Sequence, residues 1–83
     1  MEENKQGDTP EIKQKDWSQV SGQVAKALYM EETKNMTVVF KSGGVYSYSN
    51  VPLEVWEKSL NAASIGRFLN TDIKPHYKAV KLN

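Results

Sequence analysis

The apolar positions of the chain follow two different periods. Between residues 24 and 48 they come in three short runs rich in Val, Tyr and Phe, at 24–30, 36–41 and 45–48, separated by polar or glycine-rich connections. Between Leu53 and Ile73 they recur at three- and four-residue steps, the spacing of one helix face. The first regime predicts three antiparallel strands joined in sequence. Residues 31–35 form a polar hairpin connection, in which Asn35 suits a left-handed backbone. Ser42, Gly43 and Gly44 form a three-residue hairpin loop. A loop at 42–44 sets Phe40 opposite Tyr46 and Val38 opposite Tyr48. Because side chains alternate along a strand, Met36, Val38, Phe40, Tyr46 and Tyr48 then share the bulkier face, which is assigned to the core. The first strand has no single phase: Val24 and Leu28 lie on one side, Ala27 and Tyr29 on the other. Tyr29 is assigned inward.

The second regime predicts two short helices. Pro52 suits a first helical position, and Leu53, Trp56 and Leu60 form the apolar stripe of the first helix. Asn61, Ala62 and Ala63 break it. Ser64 caps a second helix that buries Ile65, Phe68, Leu69 and Ile73 and ends at Pro75. Tyr77 and Val80 return the tail to the body, with Lys78, Lys81 and Asn83 fraying. The expected fold is α+β: a three-stranded antiparallel meander followed by two short helices packed on one sheet face (βββαα). Residues 1–16 are polar and unperiodic and read as a flexible arm, with Thr9 and Pro10 able to start a short helix. Trp17 fastens this arm to a single domain spanning 17–83.

Size and charge narrow the picture. Eighty-three residues allow one small domain. The absence of cysteine excludes a disulfide framework, a thiol nucleophile and a cysteine zinc site. No apolar run is long enough to span a bilayer and residues 1–5 hold no signal-peptide core, so a cytoplasmic protein without a membrane partner is expected. The net charge is +1. Residues 1–16 hold three basic against five acidic side chains, a net of −2, and the remainder holds eight against five, a net of +3. A body of that charge permits phosphate contacts without requiring them.

The Tyr46-Ser47-Tyr48 hairpin, the Val51-Pro52 helix start and the string Ala63-Ser64-Ile65-Gly66-Arg67-Phe68-Leu69-Asn70, followed by Ile73 and Tyr77, resemble the KTSC domain. The resemblance covers roughly residues 18–77 and leaves the N-terminal arm unmatched. It implies a compact α+β module without established catalytic activity, of the kind attached to the C-terminus of some lysyl-tRNA synthetases and also found alone in bacteria and phages. That attachment implies RNA as a partner. Leu28, Trp56 and Leu69 depart from the family's usual residues.

Two groups of residues are candidates for recognition. Tyr46 and Tyr48, two apart on one strand face, can stack bases, or can fill the core beneath the helices. Ser64, Gly66 and Arg67 place free backbone N–H groups, little side-chain bulk and a planar cation at a helix start, a combination suited to phosphate. The structural alternative is a capping serine, a close-packing glycine and an arginine paired with Asp72 or Glu57. Lys41, with Lys58, Lys74 and Lys78, adds a diffuse basic surface or is simply solvated. His76 has one nearby acid, Asp72, which makes neither a triad nor a metal site. No P-loop or dinucleotide glycine pattern is present, so neither a cofactor nor an enzymatic activity is expected. The leading reading is a binding module for RNA or single-stranded nucleic acid. A protein-interaction module acting through a sheet edge or as a homodimer, and a protein that sequesters small nucleotides, are the alternatives.

Overall fold

The structure, a computed structural model, describes residues 12–83; the Thr9 helix start and the rest of the arm to Glu11 lie outside the described residues. The architecture is α+β with one antiparallel sheet in chain order: β1 (Ile12–Asp16), β2 (Val24–Met30), β3 (Asn35–Phe40), β4 (Val45–Tyr48) and β5 (Ala79–Lys81). Between β4 and β5 run α1 (Leu53–Leu60) and α2 (Ile65–Phe68), the latter continuing as a π-helical turn over Leu69–Ile73. Four strands precede the helices and a fifth follows, which corrects the expected βββαα order. Residues 12–16, expected in the arm, pair with Met30 through Lys26. The expected fraying tail is β5, paired with β4, and the Asn83 side chain clasps the hairpin loop by accepting from Val45 N–H (3.0 Å) and donating to the Gly43 carbonyl (2.7 Å).

The β3–β4 register is displaced by two residues from the expected one. Val38 faces Tyr46 and Met36 faces Tyr48, because the three-residue loop sits at 41–43, with Phe40 N–H donating to the Gly44 carbonyl (2.8 Å). Gly43 supplies the left-handed position, at φ 103°. A shift of two preserves alternation, so the face assignment stands: Met36, Val38 and Tyr48 are buried, and Phe40 and Tyr46 are half-buried at its rim. In the β2–β3 turn the left-handed residue is Lys34 (φ 61°) rather than Asn35, which opens β3. The phase of β2 is resolved by a bulge. Pairing steps from Val24↔Phe40 to Lys26↔Val39, leaving Ala25 as the extra residue, so that Val24, Ala27 and Tyr29 all become buried.

Helical segments cover the face that carries Tyr29, Met36, Val38 and Tyr48. Pro52 lies one position outside α1, in extended conformation (φ −65°, ψ 153°), where its missing N–H costs nothing. Trp56 is buried, but Leu60 is 38% exposed, and the residue that joins Trp56 in the core is Ser59, whose hydroxyl donates to the Trp56 carbonyl. The Trp56 indole stacks on Tyr29 (centroids 5.5 Å, 11°) and meets the edge of buried Trp17 (6.4 Å, 77°). Such pairs contribute about 0.5–1.5 kcal/mol each beyond area burial. Ser64 caps α2 as expected, accepting from Arg67 N–H at 3.3 Å. The π turn, closed by Lys74 N–H donating to the Leu69 carbonyl (2.8 Å), keeps Ile65, Leu69 and Ile73 all facing the core. Pro75, with no N–H to donate, follows directly.

Tyr29 joins the layers a second way. Its hydroxyl donates to the Val51 carbonyl at 2.6 Å, while Val51 N–H donates to the Lys34 carbonyl at 2.9 Å. Tyr29→Phe leaves that buried carbonyl without its donor and is expected to lower unfolding free energy by about 1–3 kcal/mol in urea titration, with the fold retained by circular dichroism.

Candidate functional site

The pairing registers place two lysines on the helix-covered face but outside the helices. One cross-strand row reads Lys15, Ala27, Val38, Tyr46, Lys81 from β1 to β5. Ala27 and Val38 are fully buried, whereas Lys15 and Lys81 are exposed at the two edges. With strands about 4.8 Å apart, their Cα atoms are separated by about 19 Å. Three adjoining cavities run between these edges.

The first, of about 540 Å³, lies between the turn after β1 and the start of α2 and is lined by Lys15, Ser21, Gln23, Ser64, Gly66 and Arg67 among others. The second, about 430 Å³, shares Gly22, Gln23 and Asn70 with the first and adds Lys41 and Lys74. The third, about 450 Å³, shares Phe40, Ser42 and Lys74 with the second and adds Tyr46, Tyr48 and Lys81. The groove therefore collects Lys15, Lys41, Arg67, Lys74 and Lys81, and no carboxylate is among the residues lining these cavities. Sequence reasoning reached Lys41 and Arg67 and weighed Lys74 as diffuse surface. It missed Lys15 and Lys81, which depend on edge strands that the apolar pattern does not show.

Local structure fixes the walls. The Lys41 ammonium donates to the Ser18 carbonyl (2.9 Å) and its N–H to the Gln23 carbonyl (2.8 Å), tying the β3–β4 loop to the turn that precedes β2. At Gly66 a Cβ atom would lie 2.5 Å from Gln23 Oε1, so the glycine admits the Gln23 side chain against α2. Arg67 is exposed, and among the described residues no carboxylate, neither Asp72 nor Glu57, pairs with it; Asp72 accepts from the Thr71 hydroxyl at 2.9 Å instead. The Thr71 hydroxyl also lies 3.1 Å from the Arg67 carbonyl, which it can donate to. Hydrogen bonds from the Ser18 side chain and backbone hold the Asp16 carboxyl below its ordinary value, and its register beside Lys26 places it on the opposite sheet face.

The two tyrosines separate. Tyr48 is 2% exposed and offers no open stacking face; Tyr46 is half-buried, with its ring edge-to-face on Phe40 (5.8 Å, 82°). Ser64, Gly66 and Arg67 belong to the first cavity and Tyr46 and Tyr48 to the third, with Lys41 in the second, between them. His76 and Asp72 line a separate cavity of about 310 Å³ with Lys58, Phe68 and Tyr77. Among the described residues no three His, Asp or Glu side chains gather as a metal site, and no helix is long and apolar enough to cross a membrane.

Comparison with known proteins agrees with this architecture. The KTSC domain family matches residues 20–77. A protein of Tsukamurella paurometabola is 37% identical over 62 residues, covering 75% of this chain and 92% of its own length. The lysine–tRNA ligase of Trichormus variabilis is 40% identical over 55 residues, 66% of this chain but only 10% of the ligase. A KTSC domain protein of Yersinia pestis, known from its crystal structure, superposes with a TM-score of 0.79 at 23% identity, covering 88% of this chain and all of the other; this likeness speaks to the fold.

Burial first, and Tyr46 second, raises the Tyr48 phenol above its ordinary 10.0, and burial followed by Glu31 raises Tyr29 likewise. In the unfolded chain both ionise at the ordinary value, so their contribution to stability is complete below pH 10 and is lost as pH rises through and beyond it. Denaturant midpoints measured from pH 8 to 11 are expected to fall above pH 10, and less steeply in Tyr48→Phe. A flat profile would contradict the assignment.

Proposed function

The chain belongs to the KTSC domain family, and we propose that it is a non-enzymatic module that binds the phosphate backbone of RNA or another single-stranded nucleic acid in the β1-to-β5 groove. The observation that carries this reading is the segregation of charge: five cations and no carboxylate line three adjoining cavities, in a chain whose net charge is only +1. A groove lined by one sign of charge over low-dielectric walls concentrates counter-ions far beyond what the net charge implies. Arg67, unpaired among the described residues, provides a planar fork for one phosphate; Lys15, Lys41, Lys74 and Lys81 provide point charges along the path. The occurrence of a similar segment in lysine–tRNA ligases, whose name ties them to an RNA substrate, adds support.

Binding of a labelled 12-nucleotide RNA, followed by anisotropy, is expected to weaken steeply with salt. Each neutralised phosphate adds about 0.7 to the slope of log K against log salt for a single strand, so five contacts give a slope of about −3.5. Arg67→Ala is expected to lower affinity and to reduce the slope by about 0.7. Absence of saturable binding at low salt refutes the reading.

A second reading, self-association along the β5 edge, draws on a different feature. Among the described residues this three-residue strand has an unpaired outer edge, and Val80 within it and Leu82 just after it are 54% and 55% exposed. It predicts a concentration-dependent dimer in sedimentation velocity; a monomer at every concentration eliminates it.

A further inference from the structure

Resting on the phosphate-groove reading, we propose that its β5 end is a pocket for one unpaired nucleobase, so that the protein selects single strands over duplex by holding a base as well as by neutralising phosphates. Three observations at the third cavity converge. Its wall holds two aromatic rings at its rim, Phe40 and Tyr46, set edge-to-face at 5.8 Å and each only half-buried. The Tyr46 ring lies close over the hairpin backbone: a Cβ atom at Gly44 would stand 3.3 Å from it, a tight contact that glycine avoids. Lys74 and Lys81 stand on the same cavity, ready for the phosphate that accompanies a base.

The third observation is Tyr48. It lines this cavity and is 2% exposed, yet among the described residues its hydroxyl has no hydrogen-bond partner. The other buried tyrosine of the sheet, Tyr29, has one in the Val51 carbonyl. A hydroxyl without a protein partner on the wall of a cavity is available to a ligand with acceptors and donors in the plane of an aromatic ring. A nucleobase has those edge groups together with a π face for Tyr46 and Phe40. Every base has such a face, so the pocket tolerates sequence, whereas in a duplex the faces are stacked away.

The test compares a 12-nucleotide oligouridylate, an abasic oligonucleotide of the same length and phosphate count, and a 12-base-pair duplex, all by anisotropy at one salt concentration. The expected result is about tenfold tighter binding of the oligouridylate than of the abasic strand. That ratio should fall to about one in Tyr46→Ala and persist in Tyr46→Phe. In the unsubstituted protein, oligouridylate and not the abasic strand should shift the ring proton resonances of Tyr46 and Phe40, which keeps the test decisive even if Tyr46→Ala fails to fold. Equal affinity for the oligouridylate and the abasic strand, a ratio insensitive to Tyr46→Ala in the folded variant, or tighter binding of the duplex overturns the base pocket while leaving the phosphate groove standing. Failure of all three polymers to bind overturns both.

Discussion

Tyr29 is the constraint on which the rest of the molecule depends. Its ring lies flat against Trp56 and its hydroxyl holds the Val51 carbonyl, so a single side chain of the second strand fixes both the first helix and the linker that leads into it. Tyr29 shares its face with Ala27 by simple alternation, and the extra residue Ala25 brings Val24 round to that same face. The helical lid is thereby fastened to the middle of the sheet. Two short helical segments so anchored do not extend over all five strands. Uncovered margins on the lid side are a consequence of the anchor, and the groove runs from one to the other.

What the groove acquires chemically follows from where charge can be placed. Glu54 and Glu57 are exposed on α1, Glu31 and Glu32 occupy the β2–β3 turn, and Asp16 lies on the opposite sheet face. Lys15 and Lys81 fall on the lid side because alternation puts them in the same cross-strand row as Ala27, Val38 and Tyr46. Lys41 and Lys74 join them from a hairpin loop and from the residue after the π turn, and Arg67 from α2. A near-neutral total thus conceals a strongly sorted surface, and it is the local field rather than the sum that a polyanion meets.

Much of the centre of the fold is legible in the residues. The alternation of Met36, Val38, Tyr46 and Tyr48 names the core face even though the loop, and with it the register, is set one position too late; an error of two residues in register leaves every side chain on its own face. The Ser64 cap is legible because its chemistry is local. The edge strands are not. Residues 12–16 have no apolar alternation, since they lie at the margin of the lid and bury almost nothing, and Ala79, Val80 and Lys81 are all exposed. The signal that was present is the repeat Lys13-Gln14-Lys15: lysines two apart on a short polar strand are a common guard for a sheet edge. Leu60 illustrates the converse error, since helical spacing gave it to the core while Ser59, satisfied by the Trp56 carbonyl, took the place.

The division between core and margin also bears on what the family match means. Residues 20–77 contain the three central strands, both helices and three of the five groove cations, Lys41, Arg67 and Lys74. Lys15 and Lys81, which terminate the groove, are contributed by strands outside that span. Packing of Trp56 on Tyr29 constrains the central part strongly, because a change there costs buried contacts. Exposed lysines on edge strands carry no such constraint and can be exchanged at little cost in stability. The length and charge of the groove are therefore free to vary at its two ends on an unchanged core, without disturbing the fold that holds Arg67 and Lys41 in place.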